Sequence, residues 1–422
     1  MSGEPDPGVI IILPRSLLDT DLYKARIFTM QQAVLHHFPD TQSTYKFTHR
    51  DAGVYFTRQS YEQFVTAISQ FSSLSLTPEE RTWLQNTCPY FKPDYLDYLS
   101  TYRFKPSQVQ VSFVPRGLDS DEGRIEIEAS GPWTEAILWE VPLMATLSEI
   151  YYTTANKDWT DVAQAELAYG KGVKLLEAGC TFSEFGTRRR RSYHTQDVVV
   201  AGLVRAQEDH PGKGKLVGTS NVHFARIHGI NPVGTIAHEW FMGVAAVRGY
   251  EHANGIALDL WEEVYPNSLL IALTDTFSTK AFFQDFAVNV ERARRWLGLR
   301  QDSGDPFAFA PQAREAYERL AIDYREKTII YSDSLDLDKV IALKKQCEDI
   351  GFIPAFGIGT FFTNDFRSWS SKGKEKSKAL NIVIKLASID GLSCVKISDD
   401  LMKNTGDRET VLKVKAIFGL PK

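Results

Sequence analysis

Ser183-Glu-Phe-Gly-Thr-Arg-Arg-Arg-Arg191 closes a short apolar run with a glycine and a block of cations, and a helical stretch follows it. The same order repeats down the chain. Apolar runs end at Phe185-Gly186, Gly218-Thr219, Thr235-Ile236, Leu273-Thr274, Gly298-Leu299, Ile330-Tyr331 and Phe356-Gly357, each leading into a helical segment. Alternation of this kind implies parallel strands joined by crossover helices. About seven such units predict an irregular α/β barrel, one short of the ideal eight, with an open doubly wound sheet as the alternative.

Upstream of this region the pattern is α+β. Asp19 to Leu35 is amphipathic at helical spacing, Thr41 to Thr48 alternates like a strand, and Tyr61 to Phe71 and Glu79 to Leu84 read as helices, the second behind the start signal Thr77-Pro78. Val109 to Val114 and Arg124 to Ala129 flank the polar turn Gly117 to Gly123 and predict a hairpin. A helix is expected at Leu143 to Tyr152. Downstream, Ser370 to Lys378 reads as a loop rich in Ser and Lys, and Leu380 to Leu386 and Ser393 to Ile397 as strands. The expected division is an N-terminal α+β domain over 1–141, the barrel over 142–367, and a segment 368–422 that packs back on the first domain.

Composition limits the function. The chain of 422 residues is 43% hydrophobic and carries a formal net charge of −5, the wrong sign for a general nucleic-acid binder. Bound anions must therefore be held by local basic clusters. Cys88, Cys180, Cys347 and Cys394 form no CxxC pair, so neither zinc nor a redox couple is signalled, and a reducing compartment is expected. No apolar run approaches the ~20 residues of a membrane helix. The opening Met-Ser-Gly-Glu-Pro-Asp-Pro lacks a signal-peptide layout. The expectation is a soluble cytoplasmic protein, with nuclear entry left open.

Reactive side chains collect at the predicted strand ends, where barrels of this type do their chemistry. The arginine run can bind phosphate or carboxylate with its planar forks, or be a solvated basic face. His238 in Gly234-Thr-Ile-Ala-His238-Glu-Trp follows an apolar run. It can be a nucleophile, a base or a satisfied core histidine. Asp275, Asp302 and Asp333 stand in Leu273-Thr-Asp275-Thr, Arg300-Gln-Asp302-Ser-Gly-Asp305 and Tyr331-Ser-Asp333-Ser. They suit Mg²⁺ and ribose hydroxyls, or serve as helix caps. Phe356-Gly-Ile-Gly359-Thr360 fits a late-strand phosphate site. A phosphate cradle, a basic clamp, acids and one placed histidine together indicate an enzyme acting on a phosphorylated sugar or nucleotide.

These same segments, with Ser16-Leu-Leu-Asp-Thr-Asp-Leu-Tyr-Lys24 at one end and Lys396-Ile-Ser-Asp at the other, resemble the nicotinate phosphoribosyltransferase family, particularly its fungal form. The resemblance spans nearly the whole chain. It implies that nicotinate, phosphoribosyl pyrophosphate and ATP give nicotinate mononucleotide, ADP, phosphate and pyrophosphate, in the salvage of NAD. It implies Mg²⁺ as cofactor and leaves a homodimer open. His238 matches the histidine that ATP phosphorylates, and Asp275 the acid that orients its ring. Tyr23 and Phe185 match the pair that sandwiches the pyridine. Arg188 is expected near phosphate and base, Arg300 near the substrate carboxylate, Asp302 and Asp333 at the ribose hydroxyls and Mg²⁺, and Gly357, Gly359 and Thr360 at the 5′-phosphate. Ser220 falls where the related nicotinamide enzyme has an aspartate, and a carboxylate there would repel nicotinate by a few kcal/mol when desolvated. The rival readings are nicotinamide as acceptor, and a Mg²⁺-dependent barrel hydrolase or aldolase.

Overall fold

The computed structural model describes residues 25–51, 53–400 and 404–421. Tyr23 lies outside them, and the expected first helix is described from Ala25 to His37.

The alternating segments of the first third form an antiparallel sheet. It contains β1 (Gln42–His49), β2 (Phe56–Thr57), β3 (Val109–Pro115) and β4 (Glu122–Pro132), with β4 pairing all three others. β3 and β4 make the predicted hairpin, and Ile125, Ile127 and Ala129 of β4 turn inward while their neighbours face out. The start signal at Thr77 acts as a capping box: its hydroxyl accepts from Glu80 N, and the Glu80 carboxylate accepts from Thr77 N.

The repeated strand–helix units supply seven parallel strands: β5 (Thr181–Glu184), β6 (Lys215–Thr219), β7 (Asn231–Pro232), β8 (Ile271–Leu273), β9 (Gly298–Gln301), β10 (Thr328–Tyr331) and β11 (Ile353–Ile358). Their order is β7-β6-β5-β11-β10-β9-β8. Among the described residues the edge strands β7 and β8 do not pair, so the sheet curls into a half-barrel. Two run ends are corrected. β7 stops before Thr235-Ile236, and β9 begins at Gly298 and continues through Arg300 and Gln301. Polar residues disguised β9 as a loop. All four of its residues are buried, as parallel strands covered on both faces are, and Arg300 stays inside because hydrogen bonds satisfy it.

The tail carries β12 (Phe366–Arg367), β13 (Lys376–Ser377), β14 (Ile382–Ile389) and β15 (Leu392–Ser393). The stretch read as a Ser/Lys-rich loop thus holds one strand, β13, which pairs with β12 just before it to make a two-stranded ribbon. β14 pairs antiparallel with β1, placing Tyr45 opposite Leu386 and Lys46 opposite Lys385. The buried helix Glu140–Thr154 and the helix His238–Arg248 both pack on β14. Beyond β15, a parallel bridge pairs Ile397 with Phe277, and Ile397 N donates to Thr276 O at 2.8 Å. The tail is thereby laid across the loop that follows β8. No helix among the described residues is long and apolar enough to cross a membrane.

Candidate active site

The C-terminal ends of the parallel strands open into a cavity of about 280 Å³. Among the described residues, seven cationic side chains line it against two carboxylates, Asp302 and Asp333. A chain of net charge −5 therefore holds a strongly positive pocket, suited to a ligand with several negative charges.

The arginine run divides by position. Arg188 and Arg189 line the cavity, whereas Arg190 and Arg191 turn into the core. Arg191 donates to Asn364 Oδ1 at 2.8 Å and to Ser377 Oγ at 2.9 Å, and stacks on Tyr152, Trp159 and Phe366. Arg188 reaches Glu140 at 3.4 Å, and Arg26 reaches the same carboxylate at 3.1 Å. Burial, with Arg188 and Arg50 close by, brings Arg189 down to about 9.

His238 is the first residue of its helix. Its Nδ1 lies 3.1 Å from Thr276 Oγ1, its Nε2 3.1 Å from Asp302 Oδ2, and Lys396 Nζ lies 2.8 Å from Nε2. Asp275 Oδ1 stands 3.8 Å from Nε2, beyond hydrogen-bonding distance, while Thr276, Asp302 and Lys396 are the ring's nearer polar neighbours. The reason is that Lys396 and Ser303 hold the other Asp275 oxygen, at 3.1 and 2.5 Å. Burial, followed by the charge of Lys396, lowers His238 to about 4, which leaves a neutral imidazole at physiological pH. Burial alone would raise Asp302, but Arg300, His238 and Lys396 outweigh it and hold the carboxyl well below the usual range.

The acidic residues at the strand ends are not the helix caps. Those places are taken by Ser278, Asp305 and Asp336, whose side chains accept from Ala281 N, Phe307 N and Lys339 N. Asp302 is held by Arg300 at 2.7 Å and by Ser332 at 2.6 Å, and Asp333 lines the cavity nearby. His238, Asp275 and Asp302 form the compact donor group; Asp333 is outside it.

Phe185, Ser220, Gly357, Gly359 and Thr360 share the cavity wall. A side chain on Gly357 would run into the Phe185 ring, so this glycine lets the ring lie close to β11. Buried Ser220 Oγ and Asp275 Oδ1 have no hydrogen-bond partner. Such atoms are costly unless something satisfies them, and a ligand can.

Of the expected site residues described here, all except Asp275 line one cavity, and Asp275 backs it through Lys396. Sequence reasoning gave no role to Arg26, Arg50, Glu140, Lys385 or Lys396. For the two lysines a signal was available. Each is a single cation in an apolar strand-like stretch, Ile382-Val-Ile-Lys385-Leu and Cys394-Val-Lys396-Ile, a placement that needs a reason.

A curled α/β half-barrel with a cationic, histidine-bearing cavity at its strand ends defines an enzyme that handles multiply phosphorylated ligands. Two models of the nicotinate phosphoribosyltransferase (NAPRTase) family match, the N-terminal domain over residues 18–148 and the family proper over 180–422. The chain belongs to this family. It is 44% identical over 419 residues to a protein of Schizosaccharomyces pombe named "Probable nicotinate phosphoribosyltransferase", covering 99% of both chains. It is 40% identical to the Saccharomyces cerevisiae nicotinate phosphoribosyltransferase, covering 96% of this chain and 95% of that one. The solved structure of nicotinate phosphoribosyltransferase from Porphyromonas gingivalis superposes with a TM-score of 0.86 at 35% identity, over 96% of this chain and 100% of that one.

Proposed function

We propose that the cavity joins nicotinate to the phosphoribosyl group of phosphoribosyl pyrophosphate, and that ATP drives the step through a phosphohistidine at His238, for NAD salvage. The carrying observation is the placement of His238 on the cavity wall with its Nε2 2.8 Å from Lys396 Nζ, and burial with this lysine beside it favours the neutral ring. With the ring proton on Nδ1, facing Thr276, the Nε2 lone pair attacks the γ-phosphorus of ATP and ADP leaves. Lys396 then faces the new phosphoryl charge. Water later takes the phosphoryl group, restoring the ring.

In the transfer step the pyridine nitrogen bonds to the ribose carbon as pyrophosphate departs. Phe185 supplies one face of a stack, and Tyr23, from this chain or a second copy of it in a homodimer, the other. Stacking is a positioning effect for a weak nucleophile. The unpartnered Ser220 hydroxyl donates to the nicotinate carboxylate, with Arg300 on that side of the cavity, and Arg188 serves base and phosphate. Gly357, Gly359 and Thr360 receive the 5′-phosphate. The orphaned Asp275 oxygen and the carboxylates of Asp302 and Asp333 are hard donors that fit Mg²⁺, with Asp302 and Asp333 also serving the ribose hydroxyls. When bound, Mg²⁺ neutralises the leaving group's charge. The same proposal places the enzyme in the cytoplasm, since its four cysteines are buried and unpaired.

The test is mononucleotide synthesis from phosphoribosyl pyrophosphate and Mg²⁺, comparing nicotinate, nicotinamide and quinolinate, with and without ATP. Wild type is expected to prefer nicotinate and respond to ATP, and His238→Ala to lose that response and any label from γ-labelled ATP. Preference for nicotinamide would overturn the acceptor assignment; an ATP response kept by His238→Ala would overturn the phosphohistidine.

A further inference from the structure

β5 ends on Glu184, a buried acid with no part in the chemistry described above. Its carboxylate gathers donors from three segments of the chain. Oε1 accepts from Gly186 N, while Oε2 accepts from Thr219 Oγ1 at 2.5 Å and from Gln196 Nε2 at 2.9 Å. Its backbone oxygen accepts from Ser220 N at 2.8 Å. Gly186 follows Phe185 and Thr219 precedes Ser220. One residue thus ties down the chain beside both the ring and the hydroxyl that line the cavity at the ends of β5 and β6.

The donors are themselves fixed. Gln196, in the first turn of the helix Tyr193–Asp209, gives its other amide hydrogen to Thr187 Oγ1 at 3.0 Å, and its oxygen accepts from Arg190 at 3.2 Å. Its nitrogen is therefore held towards Glu184. Thr219 Oγ1 accepts from Asn221 N at 3.1 Å, which leaves its proton for the carboxylate. On the other side, Phe185 N donates to Ile358 O at 2.7 Å, and a side chain on Gly186 would run into Thr363 and the Glu184 carboxylate. A carboxylate meets donors with both oxygens. An amide in its place has one oxygen and two hydrogens, so it must turn a donor towards a donor.

We propose that Glu184 is the positioning residue of the acceptor subsite: its carboxylate fixes the distance and angle between the Phe185 ring and the Ser220 hydroxyl, and so decides how the pyridine acid sits. This rests on the transferase reading above, in which Phe185 stacks on the ring and Ser220 donates to its carboxylate. Glu184 acts through the backbone on either side of it and does not line the cavity. The pyridine nitrogen must point at the ribose carbon, and a small shift in either wall spoils that line. Gly357, Gly359 and Thr360 belong to β11 and the turn that follows it, so the phosphate side keeps its own support.

The experiment is steady-state mononucleotide synthesis by the full chain, with KM measured separately for nicotinate and for phosphoribosyl pyrophosphate. Glu184→Gln keeps the shape and removes an acceptor. It is expected to raise KM for nicotinate about tenfold and to lower the preference for nicotinate over nicotinamide by a similar factor. KM for the phosphorylated substrate should stay within about twofold. Combining Glu184→Gln with Gln196→Glu moves the acid to the other end of the same hydrogen bond. The new amide keeps an oxygen for Gly186 N, and the new carboxylate accepts from that amide and from Arg190. This exchange should bring KM for nicotinate back to within about threefold of wild type, which a loss of packing alone would not do. Thr219→Val removes one donor and leaves the acid in place. It should raise KM for nicotinate by a smaller factor, and it decides the matter if the glutamate variants do not fold. Rises of equal size in both KM values overturn the proposal. So does an exchange no better than Glu184→Gln alone, or an unchanged KM for nicotinate in Thr219→Val. Failure of wild type to make mononucleotide from any pyridine would overturn the transferase reading itself.

Discussion

Lys396 Nζ lies 2.8 Å from His238 Nε2, although the two residues are 158 positions apart in sequence. The ammonium also touches Asp275 at 3.1 Å, so it ties a buried carboxylate to the ring on the cavity wall. In this position it disfavours imidazolium and donates to the Nε2 lone pair, which keeps that nitrogen unprotonated.

Lys396→Met is therefore expected to raise the His238 midpoint by about one unit from its value near 4, read by imidazole resonances across pH. In wild type the unfolded chain takes the histidine proton first, near 6.5, so this group's contribution to stability falls as pH drops from there towards 4. The variant narrows that window. It also strands Asp275, and a loss of about 3 kcal/mol at neutral pH is expected in denaturant unfolding. An unmoved midpoint would remove Lys396 from the account of the neutral ring.

Ser220→Asp is expected to invert the acceptor preference. A carboxylate beside nicotinate costs a few kcal/mol, about a hundredfold in kcat/KM, while an amide can donate to it. Competing nicotinate and nicotinamide in one assay measures the ratio directly. An unchanged ratio would place the acceptor elsewhere in the cavity.

Gly357→Ala tests how Phe185 is seated. The added methyl must displace the ring. The expected result is a KM for nicotinate raised about tenfold, with a smaller change in KM for the phosphorylated substrate. Equal effects on both substrates would mean that the glycine serves the backbone alone.

Glu239 concerns stability. The residue beside His238 is buried and accepts from the Tyr45 hydroxyl and from Trp133 Nε1. Burial, with Glu140 adding to it, raises its carboxyl to about 7. Between 4.5 and 7 the folded chain holds a proton that the unfolded chain lacks, so wild-type stability falls as pH rises through this interval. Glu239→Gln keeps an accepting oxygen and removes the ionisation. It should be more stable than wild type by about 1–3 kcal/mol at pH 8 and nearly equal at pH 5, by thermal unfolding. A variant less stable than wild type at pH 8 would reverse the sign of this argument.

Most elements could be read from local pattern. The alternation of β3 and β4, the cap at Thr77 and the repeated run-then-helix units each depend on residues a few positions apart, and the structure follows them. β9 was misread because Arg300 and Gln301 are polar yet buried, and the Arg300 partners Ser332 and Thr235 belong to other loops. The arginine run shows the same limit: identical neighbours at 188 to 191 divide between cavity and core according to the turn they occupy and the aromatic side chains that receive Arg191.

By itself, then, the sequence determined the strand–helix repeats, the hairpin, the helix starts and a set of polar residues at strand ends. Periodicity and capping are short-range and survive in a one-dimensional reading. Tertiary structure alone decided that β7 and β8 stay apart, that β14 joins β1, and that the Ile397–Phe277 bridge carries Lys396 to His238. Those outcomes depend on strand register and packing between segments far apart in the chain. Such contacts leave no local periodic trace, because their free energy appears only once the intervening chain has folded.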